Sequence, residues 1–240
     1  METGSALNQI SIQKYQQRAK DYDASAQFTM DLRRQTIALL QLKPGDVVLD
    51  VGAGTGLSYA LLREGVNAAA NTGANTDAAI QGETGRAGET GWAGGTSGRS
   101  GKVLAFEQSP AMFAQAQSRC LQQGWSDVWH TCASAESVQL PQPADAVLFN
   151  YVHDVSRLPD AITNILRQAR PGARIAMAGM KFFPWWTGPL NLLAWAKNRP
   201  YNALATDLWS PWDLVEPHCR QFERRSTHWG MGYIASGILK

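Results

Sequence analysis

The chain has 240 residues, room for one ordinary domain with a sizeable core, and its apolar share is that of a globular protein. A net charge of +2 argues against a dedicated nucleic-acid binder, which would carry a clustered basic face. The three cysteines, Cys120, Cys132 and Cys219, lie far apart without metal-ligand spacing and read as reduced thiols, so no metal site is expected. The opening METGSALNQI has no basic region leading into an apolar run, and a cytoplasmic protein is expected. From about 12 to 40 the pattern is helical: IQKYQQRAKDYD is polar with Tyr15 and Tyr22 seven apart, and DLRRQTIALL is amphipathic. LKPGD breaks that helix, VVLDV (Val47–Val51) is a short buried strand, and LSYALLRE is the next helix.

Residues 66–100 differ from the rest. They are rich in Gly, Ala, Thr and Asn, and Trp92 is almost the only large apolar residue among them. Such a segment cannot bury enough surface to offset its ordering entropy, so it reads as a flexible insertion in a single domain spanning 1–240. Order resumes at KVLAFE, a second strand. SPAMFAQAQSRCLQQ is a helix capped by Ser109, with Pro110 in its first turn. DVWHTCAS is a weaker third strand, ADAVLFNYV a fourth, LPDAITNILRQA a helix stopped by RPGA, and RIAMAGM a fifth strand. After an aromatic stretch of short helices, FERRSTHW and MGYIASGIL read as two late strands turning near Gly230. Strands alternating with helices predict an α/β, doubly wound sheet, and the terminal pair predicts an antiparallel hairpin that makes it mixed.

The glycines Gly52, Gly54 and Gly56 sit where the first strand meets its helix, the crevice where such sheets bind ligands. The spacing is G-x-G-x-G, not the G-x-G-x-x-G of a dinucleotide site, and no G-K-[ST] follows. Asp50 ahead of the turn would repel a pyrophosphate but could attract a cationic ligand. Glu107 ends the second strand, where an acid can take both ribose hydroxyls. Two acids around a glycine turn point to a nucleoside with positive charge and no phosphate chain.

LDVGAGTG resembles the first motif of class I S-adenosylmethionine-dependent methyltransferases. The acid-ended strand with SPAMFAQA is similar to their second motif, and RPGARIAMAG to the entry of their fifth strand. YQQRAKDYD and GYIASG resemble the small-molecule branch, which includes quinone-biosynthesis-type and phospholipid N-methyltransferases. The resemblance implies a Rossmann-like, seven-stranded mixed sheet and S-adenosylmethionine as cofactor. It implies Gly52, Ala53 and Gly54 along the methionine part, Gly56 as a further cofactor-binding glycine, and Asp50 near the amino group. Glu107 would lie on the ribose, Gln108 and Met112 beside the adenine, and Asn150 under the sulfonium. Where the family often has an adenine-binding aspartate, CASAE places Ser134, a weaker acceptor without charge.

His153 and Asp154, just past the fourth strand, are candidates for a general base beside the acceptor; the other reading is that His153 hydrogen-bonds at the strand end and Asp154 caps a helix. Tyr15 and Tyr22 read equally as a lid or as packing. Between 181 and 217 lie Trp185, Trp186, Trp195, Trp209 and Trp212, interleaved with Lys181, Lys197 and Arg199. They suit a cap over a small, apolar or lipid-like acceptor or a peripheral membrane contact, beside a purely structural role. The expected activity is methyl transfer to such an acceptor. The rival is a non-catalytic sensor or scaffold that binds the same nucleoside.

Overall fold

The computed structural model of the chain describes residues 2–72, 100–183, 187–198 and 208–240. Seven strands form one sheet: β1 (Val47–Val51), β2 (Lys102–Glu107), β3 (Val128–Cys132), β4 (Ala144–Asn150), β5 (Ala169–Met180), β6 (Cys219–Thr227) and β7 (Gly232–Leu239). Their order is β3-β2-β1-β4-β5-β7-β6. The first five run parallel, and β7 lies antiparallel between β5 and the edge strand β6. The predicted hairpin is present, and its return strand pairs with β5.

The helices are α1 (Glu2–Ala26), α2 (Met30–Leu39), α3 (Tyr59–Thr72), α4 (Pro110–Gln123), α5 (Pro159–Arg167) and α6 (Pro189–Asn198). Strand parity builds two cores. Val47, Leu49, Val51, Phe106, Phe149 and Ile175 face one side, against Ile162 and Ile165 of α5 and against Trp212 and Val215. Val48, Val103, Ala105 and Leu148 face the other, against Ile37 of α2 and Leu40 just past its end, Leu62 and Val66 of α3, and Ala116 of α4. Each fully buried Val, Leu or Ile contributes about 1.5–3 kcal/mol. The central strands therefore form a rigid platform, and the ends of β1, β2 and β4 hold their side chains firmly.

Two local expectations change. The helical N-terminal segment begins at Glu2 and is broken by a 3-10 turn at Gln27–Thr29. Helix α3 continues to Thr72 instead of yielding at 66: NAAAN carries good helix formers, and Asn67 Nδ2 donates to Asp127 Oδ2 at 2.8 Å. Cys120 and Cys219 are buried, whereas Cys132 is exposed at the end of the edge strand; all three are free. The rest of the insertion, 73–99 with Trp92, lies outside the described residues, as do Trp185, Trp186, Arg199 and the side chain of Lys197.

The insertion leaves α3 and returns to β2 at the edge where the strands start, since Lys102 pairs with Val47. The glycine turn is at the opposite edge. Replacing residues 73–99 by a short Gly/Ser linker is expected to keep S-adenosylmethionine affinity within about twofold, because shortening a loop changes only its closure entropy. A calorimetric titration of the shortened chain checks this.

Candidate functional site

The turn after β1 is bent back on itself by glycines with φ of +56° at Gly52 and +60° at Gly54. At Gly52 a Cβ would lie 2.8 Å from Val152 Cγ1. The Ala53 amide donates to Phe106 O at 2.9 Å, which pins the turn to β2. A Cβ at Gly54 would meet only Met112 Cε at 3.7 Å and Tyr22 Cε1 at 4.0 Å, so this glycine keeps its backbone open to the cavity. Gly56 serves another purpose. A Cβ there would lie 2.6 Å from the Tyr59 ring, and Gly56 is not among the cavity-lining residues.

Glu107, buried at the tip of β2, braces the turn. Its Oε2 accepts from the Gly54 amide at 3.0 Å and its Oε1 from the Ser109 amide at 2.7 Å. Burial pushes this carboxyl up from its ordinary value, and the amides of Ser109, Gly54 and Gln108 oppose that rise by favouring the ionised form. Each oxygen keeps a second lone pair for hydroxyl groups.

Asp50 is 2% exposed, and its Oδ2 has no hydrogen-bond partner. Burial pushes its carboxyl up to about 7, against the pull of Arg33, with Glu107 adding to the rise. Arg33 was not singled out from the sequence. It is 5% exposed, donates from Nε to Thr29 Oγ1 and from Nη1 to Ser58 Oγ, both at 3.1 Å, and stands over the Tyr151 ring. A signal existed: Arg33 shares a helix face with Thr36, Ile37 and Leu40, whereas Arg34 points outward to Asp31.

The end of β4 supplies the opposite wall. Asn150 is buried with neither Nδ2 nor Oδ1 bonded. Tyr151 follows with φ of +60°, costly for a bulky residue, and its amide donates to Ala178 O at 2.8 Å. Burial pushes its hydroxyl up to about 12, so it stays a donor. His153 Nε2 accepts from the Met180 amide at 3.1 Å, in a place kept clear by Gly179, whose Cβ would stand 2.3 Å from the ring.

Burial and, less strongly, Arg157 pull His153 down to about 4. The neutral ring's lone pair is thus engaged and the proton sits on Nδ1, which has no partner. That geometry engages the Nε2 lone pair at the strand end and leaves Nδ1–H as the free polar group of His153. Asp154 does not cap the following 3-10 turn with its side chain; its Oδ2 accepts from Ser11 Oγ at 2.9 Å.

Helix α1 covers the cavity. Ser11, Tyr15 and Tyr22 line it together with Asp50, Glu107 and Asn150. The two tyrosines meet edge to face with ring centres 6.3 Å apart. Besides Ser11, Asn8 Nδ2 donates to Glu136 Oε1 at 3.1 Å, and Asp23 bonds both Thr55 and Arg119. Gln108 and Met112 line the same space. Ser134 does not; its Oγ pairs with Ser137 Oγ at 3.0 Å, while Ala135 borders the cavity.

In the aromatic segment, Trp212 is core, Trp195 packs against Phe182 and Leu208, and Trp209 is 46% exposed. No group of His, Cys, Asp and Glu among the described residues could hold a metal ion, and no described helix is long and apolar enough to cross a membrane. The cavity therefore offers the carboxyl groups of Asp50, Glu107 and Asp154, the last bonded to Ser11, with one guanidinium, bare backbone and the unbonded Asn150 amide under a helical cover.

Residues 84–177 match a family model described as a methyltransferase domain, a span that runs from within the insertion through β2, β3 and β4 into β5. In three dimensions the chain is similar to an S-adenosylmethionine-dependent methyltransferase from Aquifex aeolicus, with a TM-score of 0.62 and 18% identity over 94% of this chain and 98% of that one. It is similar to a chain in the complex between the Haloferax volcanii Trm112 methyltransferase activator and the putative methyltransferase (TM-score 0.59, 12% identity, 94% and 97% covered). The N-methyltransferase NodS from Bradyrhizobium japonicum WM9, in complex with S-adenosyl-L-homocysteine, gives a TM-score of 0.53 at 10% identity, with 87% and 86% covered. No curated protein matches the chain. At these identities the likeness establishes the fold: an α/β, Rossmann-like sheet of seven mixed strands.

Proposed function

We propose that the cavity binds S-adenosylmethionine and that the chain is a methyltransferase acting on a small, apolar or lipid-like acceptor. The residues present fit the donor. Asp50 Oδ2 and both polar atoms of the Asn150 amide are buried without partners, and such groups are costly unless something bonds them. Asp50 takes the methionine ammonium and Arg33 its carboxylate. Glu107, with lone pairs left after bracing Gly54 and Ser109, takes the vicinal ribose hydroxyls. Gln108 and Met112 flank the base, and Asn150 lies beside the sulfur. Ser134 is turned toward Ser137 and is left out of this set.

When bound, the donor supplies a methyl group already activated for in-line displacement. The protein's work is then to orient, to exclude water and to keep the acceptor at near-attack distance. Tyr15 and Tyr22 close the cavity from above, and the bonds from Ser11, Asn8 and Asp23 hold the cover in place. Tyr151 and His153 offer hydroxyl and Nδ1–H donors toward the acceptor side, and neither is a base at neutral pH. The half-exposed Trp209 and the partly buried Trp195 and Phe183, beyond the end of β5, favour an apolar acceptor.

The observation that carries this reading is Glu107: a buried carboxylate locked to the glycine turn, within electrostatic reach of Asp50. Calorimetric titration with S-adenosylmethionine and S-adenosylhomocysteine is expected to show binding. Incubation of lipid and quinone extracts with a methyl-labelled donor is expected to yield labelled species one methyl group heavier. Binding without turnover would leave the sensor reading. Folded protein that ignores both compounds at about millimolar concentration would overturn the proposal.

A further inference from the structure

Among the described residues seven large apolar side chains are exposed, and they are unevenly placed. Leu39 and Leu121 sit at the C-terminal ends of α2 and α4, at the edge away from the cavity. The other five, Ile10, Phe28, Leu192, Trp209 and Trp229, belong to the end where the cavity opens. Ile10 precedes Ser11, which bonds Asp154. Phe28 lies in the turn between α1 and α2. Trp209 packs on Phe182 just beyond β5, and Leu192 follows Asn191, whose Nδ2 donates to Phe183 O. Trp229 tips the β6–β7 hairpin, which closes beside Met180 at the end of β5.

Trp229 is 100% exposed, and its φ of +58° follows a φ of +50° at His228. Two successive left-handed non-glycine residues cost roughly 1–2 kcal/mol each. Among the described residues the indole buries no surface in return. Lys181 and Arg225 form no ion pair among the described residues, and Arg225 bonds the neutral Gln35 side chain. Asp31, near Phe28, is neutralised by Arg34.

We propose that this end of the molecule docks on an anionic phospholipid bilayer, with Trp229, Phe28 and Leu192 entering the interface and Lys181 and Arg225 meeting phosphate groups. The apolar side chains rise from five separate segments at this end, which suits a fluid layer rather than a complementary protein surface. The inference rests on the reading of the acceptor as lipid-like, since docking would bring the cavity mouth to the layer that holds it.

Co-sedimentation of the full chain with vesicles of phosphatidylcholine containing about one-third phosphatidylglycerol, and with pure phosphatidylcholine, tests it at ~0.1 M salt. Binding to the anionic vesicles is expected, weakened by added salt. Trp229→Ser is expected to lower the partition coefficient on the order of tenfold, and Arg225→Gln to reduce the salt dependence. Circular dichroism and donor titration establish that both variants remain folded. The proposal fails if wild-type protein stays in the supernatant or if Trp229→Ser sediments as well as wild type. It also fails if the patch is buried in a dimer that Trp229→Ser dissolves. Donor binding without vesicle binding would remove the docking surface and leave the cofactor site standing; vesicle binding without donor binding would do the reverse.

Discussion

Asp50→Asn is expected to make the ligand-free protein more stable at pH 8 while weakening S-adenosylmethionine binding by on the order of 10–100-fold. The physical cause is the carboxyl's rise from 3.8 to about 7, caused first by burial. Between about pH 4 and 7 the folded chain keeps a proton that the unfolded chain gives up. The folded state then binds more protons, so stability falls as pH rises through that window and levels off above it. The full loss is roughly 4 kcal/mol, an order-of-magnitude figure. Asparagine has the same shape and does not ionise, so the variant should lack this slope.

Ligand binding has the opposite sign. A bound ammonium favours ionised Asp50, so binding below pH 7 releases a proton and affinity should tighten by up to about tenfold per unit until the carboxyl is already charged. Thermal melts and calorimetry from about pH 5.5 to 8.5 measure both slopes. A variant with wild-type pH dependence in both would show that Asp50 is not the group involved.

Glu107→Gln should have a still larger effect on the site. The glutamine amide nitrogen must face one of two donors, the Gly54 amide or the Ser109 amide, where a carboxylate oxygen now accepts. Leaving one buried amide unpaired costs about 1–3 kcal/mol, and losing charge-assisted bonds to two hydroxyls costs about 1.5–3 kcal/mol each. Donor affinity is expected to fall by on the order of 100-fold or more, with a lower melting temperature. Glu107→Ala removes both braces and should lose binding altogether. Calorimetry that returned wild-type affinity for either variant would remove the central support of the proposed function.

How much of this was legible varied residue by residue. Asp50, Gly52, Gly54 and Glu107 could be read because strand, turn and acid are local events, each set by a few neighbouring residues. Arg33 could have been read, since a cation on the Ile37–Leu40 face of α2 is anomalous, yet DLRRQT offers two adjacent arginines and only packing separates them. His153 could not. Its tautomer depends on an amide 27 residues later, from Met180, and on the space left by Gly179. Gly56 looks like a ligand glycine in the motif, but its missing side chain makes room for Tyr59. Ser134 sits at a familiar place in the pattern, and a hydroxyl three residues on takes its hydrogen bond. The end of α3 escapes the hydrophobic pattern for a simpler reason: a stretch low in hydrophobicity can still be helical, because alanine is the best helix former.

By itself the sequence determined the alternation of strands and helices, the C-terminal hairpin and the acid–glycine–acid turn, because hydrophobic period and backbone freedom are written residue by residue. Only the tertiary structure decided which polar groups were sealed from water and what each then met. Burial raised Asp50, neutralised His153 and drew Arg33 into the cavity. It also set Ser11, Asn8 and Asp23 as the fasteners of a cover more than a hundred residues away from some of their partners. Those outcomes depend on desolvation and on contacts between distant segments, and neither quantity exists until the chain has folded.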